Sequence, residues 1–140
     1  MRHSQKARYI ICTCMLAVGI ISAVILYKNF RPSAGLPYEV ISPEQAREYM
    51  EFEEGYYLLD IGTAEEFSES HLEGAVSIPY DQLLDRIVTT VPDKGSMIYL
   101  YGRDSKTADK AALKLCELGY DSVTRIGILA DWEESEGAVS

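Results

Sequence analysis

The sequence predicts an α/β domain built on a mainly parallel sheet. Apolar runs of strand length alternate with segments whose apolar residues recur at helical spacing. The central example is Met97–Gly119, in which an unbroken apolar run at 97–101 precedes six polar or small residues and then a helical pattern. An unbroken apolar run is typical of a strand that is covered on both faces, as the strands of a parallel sheet are.

Five segments have the composition of strands, and signals for helix ends separate several of them. Ser42 precedes Pro43 as a helix N-cap would, and Thr63 forms a capping-box pattern with Glu66. Gly119 stands where glycine often follows the last residue of a helix. The predicted strands are 38–41, 56–61, 75–78, 97–101 and 122–126, and the predicted helices are 43–50, 63–67, 81–90, 108–118 and 128–134.

The segment 81–90 is predicted to be an amphipathic helix. Its apolar residues recur at three- and four-residue spacing, which places them on one face. We expect that face to pack against the sheet. The residues predicted to point inward are Leu83, Leu84, Ile87 and Val88.

An uncharged stretch, Tyr9–Tyr27, precedes the domain and contains 19 residues. A helix of that length spans about 28 Å, which is close to the hydrocarbon thickness of a bilayer. A tyrosine stands at each end and cations lie beyond both ends, as at a membrane interface. We predict a retained transmembrane helix over the alternative of a cleaved signal peptide, because no convincing small-residue cleavage site precedes Arg31.

The predicted organisation is a basic tail at 1–8, a single transmembrane helix at 9–27, a linker at 28–37 and a domain at 38–140. The tail carries more cations than the linker, which favours a domain on the extracytoplasmic side of the membrane. A cytoplasmic domain is the alternative.

Charge is distributed unevenly along the chain. Five of the 13 basic residues precede residue 32, whereas no acidic residue precedes Glu39. The remainder holds eight basic and 22 acidic residues, a net charge of −14. This charge argues strongly against nucleic acid as a partner, because neutralising phosphates requires a basic surface.

The polar loop after the central strand is the candidate binding site. Ligands of open parallel sheets bind at the carboxyl ends of strands, and a helix N-terminus adds free N–H groups and partial positive charge. Two cations in the loop add full positive charge. We therefore predict that a small anion or a protein partner binds at Gly102, Arg103, Asp104, Ser105, Lys106 and Thr107.

Several motifs of the domain resemble the signature of the rhodanese-like domain family. They are Asp60-Ile61-Gly62, Glu66-Phe67, His71-Leu72-Glu73-Gly74-Ala75, Ile78-Pro79 and a closing stretch from Gly127 to Trp132. The resemblance covers about residues 40–137 and implies a three-layer fold, with a central parallel sheet of about five strands flanked by helices. The residues matching the family's structural motif are Asp60, His71, Gly74 and Trp132, of which Asp60 and His71 are expected to form a structural hydrogen-bonding pair.

Enzymes of that family are sulfurtransferases, in which a nucleophilic cysteine opens a loop of the pattern Cys-Arg-x-Gly-x-Arg. The cysteine accepts sulfur from a donor as a persulfide and passes it to an acceptor. In this sequence the resemblance aligns Gly102 with that cysteine and Arg103 with the first arginine, and Gly62 replaces the arginine of an Asp-Val-Arg motif. Glycine cannot form a persulfide, so no catalytic residue is assigned.

Three functions are therefore considered. The first is a membrane-anchored, catalytically inactive binding or regulatory module whose 102–107 loop holds an anion or a partner. The second is an active thiosulfate-type sulfurtransferase that forms its persulfide on a non-standard cysteine, for which Cys116 is the one candidate in the domain. The third is a structural scaffold of a membrane complex. Neither a metal nor a cofactor is predicted, because no His/Cys cluster has the spacing of metal ligands.

Overall fold

The computed structural model of the chain describes residues 35–135. The predicted transmembrane helix at 9–27 lies outside the described residues, so it remains a prediction, as do the domain limits and the membrane orientation. Between residues 35 and 135, none of the helices is long and apolar enough to cross a membrane.

The centre of the described region is a five-stranded sheet in which all neighbouring strands run parallel. The strands are β1 (Glu39–Val40), β2 (Tyr57–Asp60), β3 (Val76–Ser77), β4 (Met97–Gly102) and β5 (Ser122–Ile128). Their order across the sheet is β1–β5–β4–β2–β3. The predicted α/β class and parallel five-stranded sheet are confirmed.

Helices connect the strands in the order that the sequence predicts. They are α1 (Pro43–Phe52), α2 (Ala64–Glu69), α3 (Leu83–Thr90), α4 (Ser105–Glu117) and α5 (Leu129–Glu134), with a 3₁₀ turn at Tyr80–Gln82 before α3. Ser42 caps α1, whose first residue is Pro43, and Thr63 forms the expected capping box with Glu66.

Successive side chains of β4 enter two different cores. Ile98 and Leu100 pack with residues of α3 and α4, whereas Tyr99 and Tyr101 pack with residues of α1 and α5. Side chains of a strand point alternately to opposite faces, so the helices form one layer on each side of the sheet. The predicted three-layer arrangement is therefore confirmed.

Helix α3 is amphipathic, but the prediction for two of its residues is wrong. Leu83 and Ile87 are buried, whereas Leu84 and Val88 are 54% and 53% exposed. Each residue of an α-helix is rotated by about 100° from its predecessor, so 84 and 88 share a direction that differs from that of 83 and 87. The core therefore covers a narrower stripe of this helix than the apolar pattern predicts.

Two predicted boundaries near the centre of the chain are also wrong. Helix α4 begins at Ser105 rather than at 108, because the carboxylate of Asp104 accepts a hydrogen bond from the backbone N–H of Thr107 at 2.8 Å and caps the helix there. Strand β5 continues to Ile128 rather than ending at 126, because an irregular register pairs Ile128 with Gly102. Half of the predicted polar loop is therefore the first turn of α4.

Two adjacent leucines of α3 provide a direct test of its orientation. We expect Leu83→Ala to lower the free energy of unfolding by about 2–5 kcal/mol, because it leaves a cavity in the core. Leu84→Ala is the matched control and should change it by no more than about 0.5 kcal/mol. Urea unfolding followed by the fluorescence of Trp132, which is buried, measures both. Equal losses in the two variants would contradict the described orientation.

Candidate functional site

The strand order creates a crevice at the carboxyl ends of β2 and β4. Strand β2 continues through α2 to β3 on one side, whereas β4 continues through α4 to β5 on the other. Adjacent strands whose connections leave in opposite directions form the usual binding crevice of an open α/β sheet. A cleft of about 360 Å³ lies at this position, and its lining includes Ile61, Glu66, Tyr80, Asp81, Arg103, Asp104 and Thr107.

An ion pair between Asp60 and Arg103 forms the floor of this site. The Nη1 atom of Arg103 donates to both carboxylate oxygens of Asp60 at 2.9 Å, and its Nη2 atom donates to the carbonyl oxygen of Ser70 at 2.7 Å. Asp60 is fully buried and also accepts from the backbone N–H of Gly62 at 2.8 Å. The charge of Arg103 is therefore balanced by Asp60.

Tyr101 extends this hydrogen-bonded network beneath the cleft. Its hydroxyl accepts a hydrogen bond from the backbone N–H of Leu72 at 2.9 Å. Burial raises the pKa of Tyr101 well above its ordinary value of 10, and its hydrogen bond with Asp60 acts in the same direction. The phenol therefore stays protonated and connects β4 to the loop that contains Leu72.

Gly62 provides the space in which the guanidinium of Arg103 lies. A Cβ atom at position 62 would lie 3.1 Å from Nη1 of Arg103 and 2.9 Å from Oε2 of Glu66. These distances are shorter than ordinary van der Waals contacts. A larger residue at 62 would therefore displace the side chains that surround the ion pair.

Asp104 occupies the N-terminus of α4 with its own negative charge. Its carboxylate accepts from the N–H of Thr107, and this hydrogen bond lowers the pKa of Asp104 below its ordinary value of 3.8. The N–H of Ala108 donates to the carbonyl oxygen of Asp104 at 3.2 Å. Part of the N–H surface that was predicted to bind an anion is therefore used within the chain.

The structure divides five of the six predicted loop residues between two surfaces, and Gly102 lines neither of them. Arg103, Asp104 and Thr107 line the cleft. Ser105 and Lys106 line a different, mostly apolar depression of about 510 Å³, which also contains Leu36, Tyr38 and Leu113. Binding of one ligand by all six residues stays a prediction, and the geometry favours the first three.

Gly102 is the last residue of β4 and is buried against Ile61. A Cβ atom at position 102 would lie 2.9 Å from Cδ1 of Ile61 and 3.3 Å from its Cγ1. Ile61 is itself almost fully buried. A side chain at 102 therefore requires Ile61 to move or to become smaller.

The cleft carries more negative than positive charge. Glu66, Asp81 and Asp104 line it, whereas the cation of Arg103 is already paired with Asp60. Sequence reasoning did not assign Glu66 or Asp81 to the site. Their positions just beyond β2 and β3 were the available signal, because the carboxyl ends of neighbouring parallel strands meet at one edge.

Three of the predicted structural residues, His71, Gly74 and Trp132, do not line the cleft. The Nδ1 atom of His71 donates to the carbonyl oxygen of Phe67 at 2.8 Å, and its ring stacks on that of Phe67. Gly74 has a φ of 81° in the following turn, a conformation that favours glycine. The indole N–H of Trp132 donates to the carbonyl oxygen of Ile126 at 2.6 Å. A direct hydrogen bond between Asp60 and His71 stays a prediction.

Cys116 is remote from the cleft and has the properties of a structural thiol. It lies in the last turns of α4, about 16 Å along the helix from Ser105. Its Sγ atom contacts the carbonyl oxygen of Pro37 at 3.4 Å, and partial burial raises the pKa of its thiol. Among residues 35–135, no group of three or more His, Cys, Asp or Glu side chains is arranged to hold a metal ion.

A family model described as "Rhodanese-like domain" matches residues 42–133, the region that contains the sheet and the cleft. The chain belongs to the rhodanese-like domain family. The resemblance predicted from the Asp60 and His71 motifs is thereby confirmed.

Relatives of this rhodanese-like domain include sulfurtransferases. Thiosulfate sulfurtransferase PspE of Escherichia coli (strain K12) is 33% identical over 73 residues, which cover 52% of this chain and 70% of that protein. A solved structure described as "rhodanese with anions from E. coli" is 32% identical, with a TM-score of 0.52 over 54% of this chain and 89% of that one. The Alr3790 protein from Anabaena sp. shares the fold, with 24% identity and a TM-score of 0.67 over 71% and 79% of the two chains.

Removing the cation of the Asp60–Arg103 pair tests the floor of the rhodanese-like site. We expect Arg103→Ala to lower the free energy of unfolding by about 3–5 kcal/mol, because it leaves a buried carboxylate without its counter-ion. Lys114→Ala, which breaks the exposed Lys114–Glu117 pair, is the control and should cost no more than about 1 kcal/mol. Urea unfolding compares the two, and a similar small loss in both would contradict this role.

The capping role of Asp104 predicts a dependence of stability on pH. The folded-state pKa lies below 3.8, so the cap stabilises the fold above that pH and is lost as the pH falls through the folded value. Asparagine caps a helix without titrating. Between about pH 5 and about pH 2, the wild type should therefore lose more stability than Asp104→Asn, as measured by thermal unfolding. Parallel pH profiles would show that the carboxylate does not act as the cap.

Proposed function

We propose that this rhodanese-like domain is catalytically inactive and acts as a membrane-anchored binding or regulatory module. Its cleft at the carboxyl ends of β2 and β4 would receive part of a protein partner. The relation to sulfurtransferases is established by the family match and the identity to PspE. The catalytic inactivity, the membrane anchor and the protein partner are the parts that we propose.

The contact between Gly102 and Ile61 is the observation that carries this proposal. The resemblance aligns Gly102 with the nucleophilic cysteine of active family members, and glycine has no thiol on which a persulfide could form. Ile61 approaches to within 2.9 Å of the point where a Cβ atom at 102 would lie. The site therefore lacks the nucleophile, and a side chain at 102 would have to displace Ile61.

The alternative of an active sulfurtransferase that forms its persulfide on Cys116 has little structural support. Cys116 lies outside the cleft, and burial raises its thiol pKa, which lowers the fraction of reactive thiolate. The sulfurtransferase alternative would require this thiol, which lies about 16 Å along α4 from the first residue of that helix, to leave its contact with Pro37 and reach the cleft.

The charge of the cleft favours a cationic group of a partner over a small anion. Thiosulfate, the substrate class named for PspE, is an anion, and Glu66, Asp81 and Asp104 would repel it. The positive charge that could offset this repulsion, on Arg103, is balanced by Asp60. A lysine or arginine side chain of a protein would instead be attracted to the same surface.

The membrane anchor is supported by the uncharged sequence Tyr9–Tyr27. Its length matches the bilayer, and its flanking cations match an interfacial position. An anchor would hold the domain close to other membrane proteins and raise their effective concentration at the cleft. The charge distribution continues to favour an extracytoplasmic domain, with a cytoplasmic one as the alternative.

Restoring both the thiol and the space for it tests the proposed inactivity. We compare the wild type, Ile61→Val, Gly102→Cys and the double variant in a thiosulfate:cyanide sulfurtransferase assay. We expect no turnover without a thiol at 102 and the highest turnover in the double variant. Gly102→Cys alone should be slower, since displacement of a nucleophile by about 1 Å can reduce the rate about 100-fold.

The other outcomes separate the alternatives. Turnover by the wild type that Cys116→Ser abolishes would establish an active enzyme with a non-standard cysteine. Silence in all four proteins would show that a thiol at 102 and the space for it do not restore sulfur transfer. Either the carboxylates of Glu66, Asp81 and Asp104 repel thiosulfate or the loop has lost its geometry, and the second case favours the structural scaffold. Ile61→Val is the matched control, because it changes the same side chain without adding a thiol.

A further inference from the structure

A regular apolar stripe lies on the outer surface of α3 and the turn before it. Tyr80, Leu84 and Val88 follow one another at four-residue spacing and are 37%, 54% and 53% exposed. Residues at this spacing share one side of a helix, so Leu84 and Val88 form a continuous surface one turn beyond Tyr80. Leu83 and Ile87 already provide the contacts of this helix with the core.

Carboxylates accompany the part of this stripe nearest to the cleft. Asp81 and Asp85 each follow an apolar residue by one position, and both are exposed. Within residues 35–135, none of the ion pairs involves either of them. An exposed apolar surface bordered by unpaired charges of one sign is typical of a protein interaction site.

The stripe is continuous with the cleft described above. Tyr80 and Asp81 line that cleft together with Glu66 and Asp104. A segment bound along α3 would therefore reach the cleft at the N-terminal end of the helix, where Asp81 and Asp85 lie. With a 3₁₀ turn at Tyr80–Gln82 and α-helix from Leu83, the stripe from Tyr80 to Val88 spans about 13 Å, which corresponds to a partner segment of two to three turns.

We propose that α3 and the adjoining cleft bind a basic amphipathic helix of a partner protein. Apolar side chains of that helix would contact Leu84 and Val88, and its lysine or arginine side chains would lie beside Asp81 and Asp85. This inference rests on the proposed binding function and names the chemistry of the partner. It is independent of whether residues 102 and 61 could be made to support sulfur transfer.

Two other occupants fit the surface less well. A second copy of this chain would bring Asp81 and Asp85 toward the same two carboxylates in a two-fold contact. Arg86, the one cation of α3, offsets only part of this repulsion, and like charges at an interface are unfavourable. An anionic membrane would be repelled by the same residues. The charge pattern therefore favours a basic protein segment.

Site-specific photo-crosslinking in the full-length chain tests this surface. The photoreactive residue p-benzoylphenylalanine is introduced at Val88, and the chain is irradiated in the membranes of the cells that produce it naturally. Phe52 is the control position, because it is 80% exposed on a helix in the opposite layer. Mass spectrometry then identifies the protein segment joined to each position.

We expect an adduct at 88, and not at 52, with a positively charged segment whose apolar residues have helical spacing. Leu84→Glu should reduce its yield about tenfold or more, because central apolar contacts dominate such interfaces. Asp85→Lys, which does not line the cleft, should reduce it about two- to fivefold, the range expected for a rim charge. Both substitutions are at exposed positions, so circular dichroism should show an unchanged fold.

Several results would overturn this inference. The first is the absence of an adduct at 88. The second is an adduct with the wrong molecule: a second copy, residues 1–34 of the same chain, lipid or an acidic segment. The third is an adduct whose yield does not change in Leu84→Glu. The sulfurtransferase assay of the wild type distinguishes failure of the docking proposal for α3 from failure of the proposed inactive binding module. A silent wild type with no such adduct would reject only docking on α3, whereas turnover by the wild type would reject the inactive binding module itself.

Discussion

The site depends on the buried ion pair between Asp60 and Arg103. Asp60 ends β2, Arg103 directly follows the adjacent strand β4, and the guanidinium also holds the carbonyl oxygen of Ser70 in the loop after α2. Removing two charges from water costs several kcal/mol for each ion, so the pair persists only because both partners and their hydrogen bonds are in place. The segments that carry Asp60, Ser70 and Arg103 must therefore meet for either charge to remain buried. This requirement determines the geometry of the cleft floor.

The same pair determines the electrostatic character of the cleft. Because Arg103 is committed to Asp60, its charge is offset, and the carboxylates of Glu66, Asp81 and Asp104 are left to define the surface. Asp104 adds to this effect by capping α4 with a side chain of the chain itself. In an open α/β sheet, anions commonly bind at this position. Here the same position carries net negative charge, although its backbone geometry is ordinary for the fold.

Membership of a family that includes sulfurtransferases therefore does not decide what this domain does. The fold is shared with solved relatives and the sequence similarity extends to PspE, whereas the proposed change of function rests on a few side chains at the crevice. Gly102 and Ile61 are complementary in size, so a side chain at 102 would require Ile61 to move or to become smaller. The exposed stripe on α3 lies beside the same crevice, which makes a common binding role for the two surfaces physically coherent.

The sequence alone was sufficient to predict the α/β class, the five parallel strands, the helix caps at Ser42 and Thr63 and the family. Each of these depends on local spacing or on residue types close together in the chain, such as the unbroken apolar run of β4. The sequence was less informative where neighbours distant in the chain decide the outcome. Whether Leu84 is buried depends on which side of α3 meets the sheet, and the apolar pattern of that helix is wider than its contact with the core.

The tertiary structure decided the chemistry of the site for the same reason. The sequence shows a loop with two cations, but only the folded chain shows that Arg103 is neutralised by Asp60, 43 positions away, and that Lys106 lines another surface. Glu66 and Asp81 enter the site because the ends of β2 and β3 lie beside the end of β4. The charge balance of the site and the space within it depend on the distances between segments that are far apart in the chain. These distances are set when the sheet forms.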